Sequence, residues 1–430
     1  MAGFQVTPNG WFWVFPKGVN VVSESVAIGS ITRLKEGIIM VQVASLFNQL
    51  LQHFPRAEFG GLVKKYDAEH AAKGFTCWTQ FVSMTFCQLA HADSLREICN
   101  GLACSEGKLI HLGILNAPNK STLSYANEHR PAALYEDLFY TSLNRFRDQQ
   151  GLGTRKTKFR FKNKLLSLDS TTISLCLDLF PWAKFRRAKG GVKAHVLLDH
   201  DDYLPSYVVI TEAKQSDVRV AQSLDLNAGS IVAMDRGYND YALFGKWTAR
   251  GVFFVTRLKE NAVYEVVEST MGPLPRNILA DETIRFTGPQ AVKDCPHLLR
   301  RVVVWDAVNK REIVLLTNLM HFGATTIGAI YKDRWEIELF FKALKQNLKV
   351  KSFVGTSRNA LLIQIWTALI AIMLLKWLHH LSKAKWSLSN LASMLRLNLF
   401  TYRDLGRWLD NPFGTPPLIP QSAQLTLDLG

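Results

Sequence analysis

The run Ala360–Leu375, ALLIQIWTALIAIMLL, spans 16 residues without a charge. A helix that is apolar on every side has two homes, a membrane or a core wide enough to surround it. A spanning helix wants about 20 apolar residues. This run is shorter, contains Gln364 and Thr367, and is followed at once by Lys376 and two histidines. It therefore predicts a buried core helix and no membrane partner. The chain can supply such a core, because its 430 residues are 48% hydrophobic and 11% aromatic. That length allows two or three domains.

Charge narrows the partners. Lys and Arg number 51 against 36 Asp and Glu, a net +15. Such an excess suits a polyanion, either nucleic acid or an anionic membrane surface, with an ordinary basic soluble protein as the plain alternative. The six cysteines (77, 87, 99, 104, 176, 295) form no CxxC pair and have no ligand spacing with histidine. They fit a reducing cytosol and argue against structural zinc. No basic flank followed by an apolar run opens the chain, so no secretory signal is read.

Hydrophobic periodicity divides the chain. Residues 1–39 are Gly- and aromatic-rich without a period, and read as an upstream extension or disordered segment. A helical pattern begins at Met40, which is the expected natural start. Residues 40–150 are expected to be all-helical, with helices at 76–91, 93–102, 121–129 and 131–147 and a capping box at Ser94 and Glu97. The polar segment Asn119–Arg130 resembles a recognition helix, with a solvated bundle helix as its alternative. A basic linker, 151–164, alternates Lys and Arg with Phe159 and Phe161, which suits phosphate neutralisation with base stacking. A second basic cluster follows at 184–189.

From 165 the period is that of strands. Leu165–Leu175, the pair 193–199 and 204–211 around His200-Asp-Asp-Tyr203, 230–234 and 252–258 are strands. Helices are expected near 218–226 and 241–250. This order predicts an α/β fold with a mixed sheet. More strand-like runs (299–305, 312–317) fall in 260–325. A charged helix (331–349) and the apolar helix come next, within C-terminal helices spanning 351–410. The Pro-rich tail 411–430 is expected to be disordered.

Chemistry concentrates in three acids. Asp169 lies inside an apolar strand, and Asp235 ends another. A carboxylate there is costly unless paired or bound to a cation, and either one alone is as well explained by a nearby Arg or Lys. The charged helix decides between these readings. At 100° per residue, Tyr331, Arg334, Glu338, Lys342 and Lys345 fall within an arc of about 80°. Trp335, Ile337, Leu339, Phe340, Phe341, Ala343, Leu344 and Leu348 fill the rest, so the helix is expected to be buried around most of its circumference. One carboxylate among phosphate-seeking groups suits the wall of a DNA-cleaving site better than a surface salt-bridge ladder.

The spacing Tyr331-x2-Arg334-x3-Glu338-x6-Lys345 resembles the signature of insertion sequence family 4 transposases. Leu-Asp169-Ser-Thr and Met-Asp235-Arg-Gly-Tyr resemble that family's first two acidic motifs, and the likeness covers roughly 165–380. It implies an RNase H-like mixed-sheet catalytic core (165–350) with a β-rich insertion at about 260–325. A helical DNA-binding domain (40–150) would precede that core. Asp169, Asp235 and Glu338 would be ligands of two Mg2+ (or Mn2+) ions. Tyr331, Arg334, Lys342 and Lys345, with Arg236 beside a metal ligand, would hold DNA phosphates. The implied activity is cut-and-paste transposition by strand cleavage and strand transfer, on terminal inverted repeats and target DNA. A homodimer would form in the synaptic complex, and the location would be cytoplasmic and nucleoid-associated. Relatives use a Trp of the insertion to stack on a flipped base; here the aligned stretch 310–317 has none, and nearby Trp305 reads as a strand core residue. Gln424–Leu429 resembles a motif that docks on the DNA sliding clamp. A standalone nuclease and a non-enzymatic DNA-binding repressor are the rivals.

Overall fold

A computed structural model describes residues 4–7, 10–13 and 44–418, apart from 71, 73, 106, 154–157, 177, 187–188 and 351. The chain forms two units, Met1–Gln42 and Val43–Gly430. In the first, β1 (Phe4–Thr7) and β2 (Gly10–Trp13) pair as an antiparallel ribbon, so part of the segment without a period is strand. The expected start at Met40 lies outside the described residues, as does Gln424–Leu429.

The second unit begins with six helices: α1 (Leu46–Leu51), α2 (Arg56–Lys65), α3 (Cys77–Ala90), α4 (Leu95–Ala103), α5 (Lys120–His129) and α6 (Ala133–Gln150). Their starts follow from capping chemistry. Ser94 accepts from Glu97 N, and Glu97 accepts from Asp93 N, which satisfies two otherwise orphaned donors. Ser45 caps α1 in the same manner, accepting from Asn48 N.

The sheet strands are β3 (Leu165–Leu175), β4 (Lys184–Arg186), β5 (Lys189–Asp199), β6 (Leu204–Glu212), β7 (Ile231–Met234), β8 (Phe253–Arg257), β9 (Tyr264–Ser269), β10 (Ile278–Phe286), β11 (Leu299–Asp306) and β12 (Arg311–Thr317). Interspersed are α7 (Asp217–Ser223), α8 (Tyr241–Ala249), α9 (Pro289–Asp294) and α10 (Ala324–Asp333). The chain then runs through α11 (Trp335–Asn347), α12 (Arg358–Leu381), α13 (Leu388–Asn398) and α14 (Leu405–Asp410).

β6, β5 and β3 are successive antiparallel neighbours, and β7 then β8 lie parallel to β3. Three antiparallel strands followed by two parallel to the first is the arrangement of an RNase H-like core. The expected β insertion does not form a separate sheet. β12 pairs antiparallel with β8, and β11, β10 and β9 continue outward, so one ten-stranded sheet runs through both parts. Backbone donors on the open edge of β8 are thereby satisfied by the insertion's own strand.

α12 resolves the question posed by its composition. It is 24 residues long and apolar enough to cross a membrane, yet 89% of its most apolar window is buried inside the protein. It packs against α3, α5, α6 and α13. Gln364, fully buried, is paid for by bonds to the Lys349 and Ser352 carbonyls and the Val354 N–H. The helices before the sheet and those after it share one hydrophobic core. The divisions expected near 150 and 350 therefore do not separate compact units. A helix apolar on all sides needs neighbours on all sides, and only the two helical groups together provide them.

Candidate active site

β3 and β7 run parallel with Leu168 opposite Met234. The next residue on each, Asp169 and Asp235, therefore leaves the sheet on the same face. Asp235 directly follows β7 and opens a single turn in which Tyr238 N–H donates to the Asp235 carbonyl. Asn239 locks this turn to β8: its Nδ2 donates to Arg257 O at 2.8 Å, and Thr256 Oγ1 donates to its Oδ1 at 3.0 Å.

The third acid arrives on the helix pair α10–α11. The expected single helix has an irregularity at Arg334, which keeps right-handed helical angles (φ −50, ψ −30) between the two segments. The pair crosses one face of β3, the face carrying Ser167, Asp169 and Thr171. Arg334 Nη1 lies 3.9 Å from Asp169 Oδ2, and its Nη2 donates to Glu338 Oε1 at 2.8 Å. One guanidinium thus bridges two of the three carboxylates. Lys345 Nζ donates to Thr171 Oγ1 at 2.6 Å and to Thr172 O at 3.1 Å, so in this structure it braces the helix against the strand.

Burial dominates the electrostatics of the cluster. Burial pushes the Asp169 carboxyl up to about 6; a hydrogen bond from Ser170 N–H and the Arg334 guanidinium oppose the rise, while Glu338 and Asp235 add to it. Burial likewise raises the Tyr331 phenol, against Arg334, whose guanidinium lies 5.5 Å from the ring centroid. The donor set is hard oxygen, which fits Mg2+ or Mn2+. Among the described residues no three His, Cys, Asp or Glu side chains stand close enough together to hold an ion as they are. Arg334 provides the local cation in their place. Its Nε is buried without a hydrogen-bond partner among the described residues.

Other expected site residues are placed differently. Lys342 is exposed to solvent. Arg236 is half exposed, and its ion-pair partner, at 3.5 Å, is Glu260. The helix is buried or half-buried over most of its circumference, as expected, but Trp335 (56% exposed) and Leu339 (43% exposed) lie on its one open stripe and are no core residues. Their side of α11 faces away from the sheet, and the polar stripe lies at the boundary between buried and open faces. Phe159 and Phe161 stack on each other at 5.1 Å, and Phe161 meets Phe322 at 5.2 Å. Half-buried, they pack the linker against the core. Trp305 lies in β11 as expected but is 40% exposed, so it is no core residue. Side chains of the basic cluster 184–189 lie outside the described residues.

Three polar side chains that the sequence did not single out adjoin the cluster. Ser167, His200 and Asp333 form a buried hydrogen-bonded chain. Separations of 33 and 133 residues, with no motif around His200, left nothing to read along the chain.

Residues 160–374 match the family model described as a transposase DDE domain. Residues 42–115 match a domain of unknown function (DUF4372). A protein of Sinorhizobium fredii named as a transposase is 32% identical over 311 residues, 71% of this chain and 83% of that one. Another, named for insertion sequence element IS5377 of Geobacillus stearothermophilus, is 33% identical over 55% of this chain and 62% of its own length. Transposase InsG of insertion sequence element IS4 from Escherichia coli is 26% identical over 38% of each chain.

Proposed function

This chain belongs to the DDE transposase family, and on that premise we propose that Asp169, Asp235 and Glu338 are its catalytic carboxylates and hold two Mg2+ or Mn2+ ions. It is an insertion-sequence transposase, an enzyme that acts on DNA. The observation that carries the residue assignment is the single Arg334 guanidinium joining Asp169 to Glu338 beside Asp235. Carboxylates this buried need a cationic partner, and a divalent ion could take over the Arg334 contacts.

When bound, the ions would supply activation of the attacking water or 3′-OH and stabilisation of the leaving 3′-oxygen. The protein's own part is placement. Asp169 and Asp235 are fixed by strand register, and Glu338 by the helix laid across β3. Arg334, partly freed from the carboxylates, would turn its unpartnered Nε–H to a phosphate oxygen. Tyr331 stands beside it, Lys342 lies open to the backbone of a strand, and Lys345 and Arg236 would join them once DNA displaces their present partners. Cut-and-paste transposition requires both strand cleavage and strand transfer from this site.

The helical region before the sheet supplies a second DNA contact in this reading. α5 exposes Lys120, Thr122, Tyr125 and His129, and the Tyr125 and His129 rings stack at 3.9 Å. Synapsis of two element ends calls for a homodimer. α12 is enclosed and offers no surface for it, whereas Leu397 of α13 is 74% exposed. The decisive experiment incubates the full chain with labelled end DNA, target DNA and Mg2+. Products joined to target support transposition, and cleavage alone would support a standalone nuclease. Asp169→Ala, Asp235→Ala and Glu338→Ala should each abolish both steps while DNA binding persists; retained cleavage would overturn the assignment. Loss of sliding-clamp binding on deletion of residues 421–430 is the corresponding test for Gln424–Leu429.

A further inference from the structure

His200 sits in the turn between β5 and β6 and joins two other elements. Its Nδ1–H donates to Asp333 Oδ2 at 2.7 Å, and its Nε2 is hydrogen-bonded to Ser167 Oγ at 2.7 Å. Lys158 pairs with the second Asp333 oxygen. The order and lengths are those of a hydrolase triad. Ser167 is fully buried, however, so no substrate reaches its hydroxyl. A nucleophile is excluded, and a mechanical role is what the connections describe.

Ser167 stands two residues before Asp169 on the same face of β3. Asp333 immediately precedes Arg334 and lies about one and a half helical turns before Glu338. The hydrogen-bonded chain therefore ties the strand that carries one carboxylate to the helix that carries another. On the far side of Asp169, Lys345 makes the matching tie to Thr171. Between these two ties lies the contact of Arg334 with Asp169 and Glu338. That central contact has to loosen when a metal ion takes the same carboxylates. Apolar packing of α11 on β3 persists, but the Ser167–His200–Asp333 chain would then be the polar tie left between strand and helix once Lys345 turns to a phosphate.

His200 is itself held firmly. Arg147, reaching from α6, pairs with Asp202 at 2.6 Å and Asp199 at 3.3 Å, on either side of the turn. Lys164 adds a pair with Asp199 at 2.6 Å. We propose that Ser167, His200 and Asp333 form a positioning relay that sets the spacing of Asp169 and Glu338 for metal binding. The relay rests on the reading of those two acids as metal ligands. Groups hydrogen-bonded to metal ligands typically govern about 10–100-fold in affinity or activity; the relay acts one step further out, through strand and helix, so the low end applies.

The test uses the full chain, with Mn2+ as probe followed by electron paramagnetic resonance, alongside single-turnover cleavage of end DNA and melting temperature. His200→Ala should weaken Mn2+ binding and slow cleavage by about 10-fold, with the KM for end DNA unchanged. His200→Gln, which keeps an amide near the Nε2 position, should recover part of the loss. Ser167→Ala, which leaves the His200–Asp333 pair intact, should move in the same direction and covers the case in which His200→Ala fails to fold. Asn318→Ala, which removes buried bonds to Phe254 N and Val252 O, is the stability control and should keep wild-type Mn2+ affinity. Wild-type Mn2+ affinity in both Ser167→Ala and His200→Ala, or equal losses in the Asn318→Ala control, would overturn the relay. Asp169→Asn reports on the underlying assignment. If it binds Mn2+ normally, the carboxylate reading falls and takes the relay with it.

Discussion

Removing the charge of Asp169 should destroy catalysis and stabilise the metal-free protein at the same time. Burial raises this carboxyl from 3.8 to about 6. Its ionisation therefore costs the folded chain more than the unfolded one. Wild type in chelator should lose stability as pH rises from about 4 to about 6 and stay level above that. About two pH units correspond to roughly 3 kcal/mol at pH 8, an upper figure because the side chain is 22% exposed. Asp169→Asn keeps an oxygen for the Ser170 N–H and gives up only the 3.9 Å contact with Arg334. With roughly 390 residues unfolding, the gain amounts to about 2–4 °C in melting temperature. Differential scanning calorimetry at pH 4 and pH 8 in EDTA reads it directly. Adding Mg2+ at about 1,000 times its Kd should then reverse the ranking, since such a ligand stabilises by about 4.1 kcal/mol and the variant lacks a ligating carboxylate. An Asp169→Asn protein that melts at or below wild type at pH 8 in EDTA would refute the reasoning.

Three further expectations follow from other sites. Asp217 is held at about 2: burial pushes it up, but His195, Ser170 and Lys193 outweigh that. It should contribute roughly 2 kcal/mol above about pH 4, lost as pH falls through 2, so Asp217→Asn should melt lower at pH 7 and converge with wild type in acid. Lys342→Ala should weaken binding to all DNA sequences alike and reduce the salt slope of log K by about 1; an unchanged slope would remove Lys342 from the phosphate contacts. A Cβ on Gly245 would stand 2.1 Å from the Asp294 carbonyl oxygen, where α8 meets the end of α9. Gly245→Ala should accordingly cost about 1–3 kcal/mol, and an undiminished melting temperature would show that this approach is not tight.

Local chemistry was legible along the chain because it acts over a few residues. The hairpin around His200–Tyr203 appears as β5 and β6 with Asp199 opposite Leu204, since alternation and turn residues set register locally. Helical spacing alone put Arg334, Glu338 and Lys345 on one stripe. The absence of charge in Ala360–Leu375 demanded enclosure, whatever enclosed it. Tertiary structure decided what those patterns meet. Phe159 and Phe161 look the same in sequence whether they face a base or Phe322, and packing turned them inward. Trp335 and Leu339 read as core residues until the packing of α11 on β3 through its opposite side left them open. Of the insertion's strands, β11 and β12 were legible as 299–305 and 312–317 while β9 and β10 were not, and only the pairing of β12 with β8 made them part of the central sheet. Ser167, His200 and Asp333 had no signal at all. A hydrogen bond needs proximity in space and no spacing in sequence, so only the folded chain could bring these three side chains together.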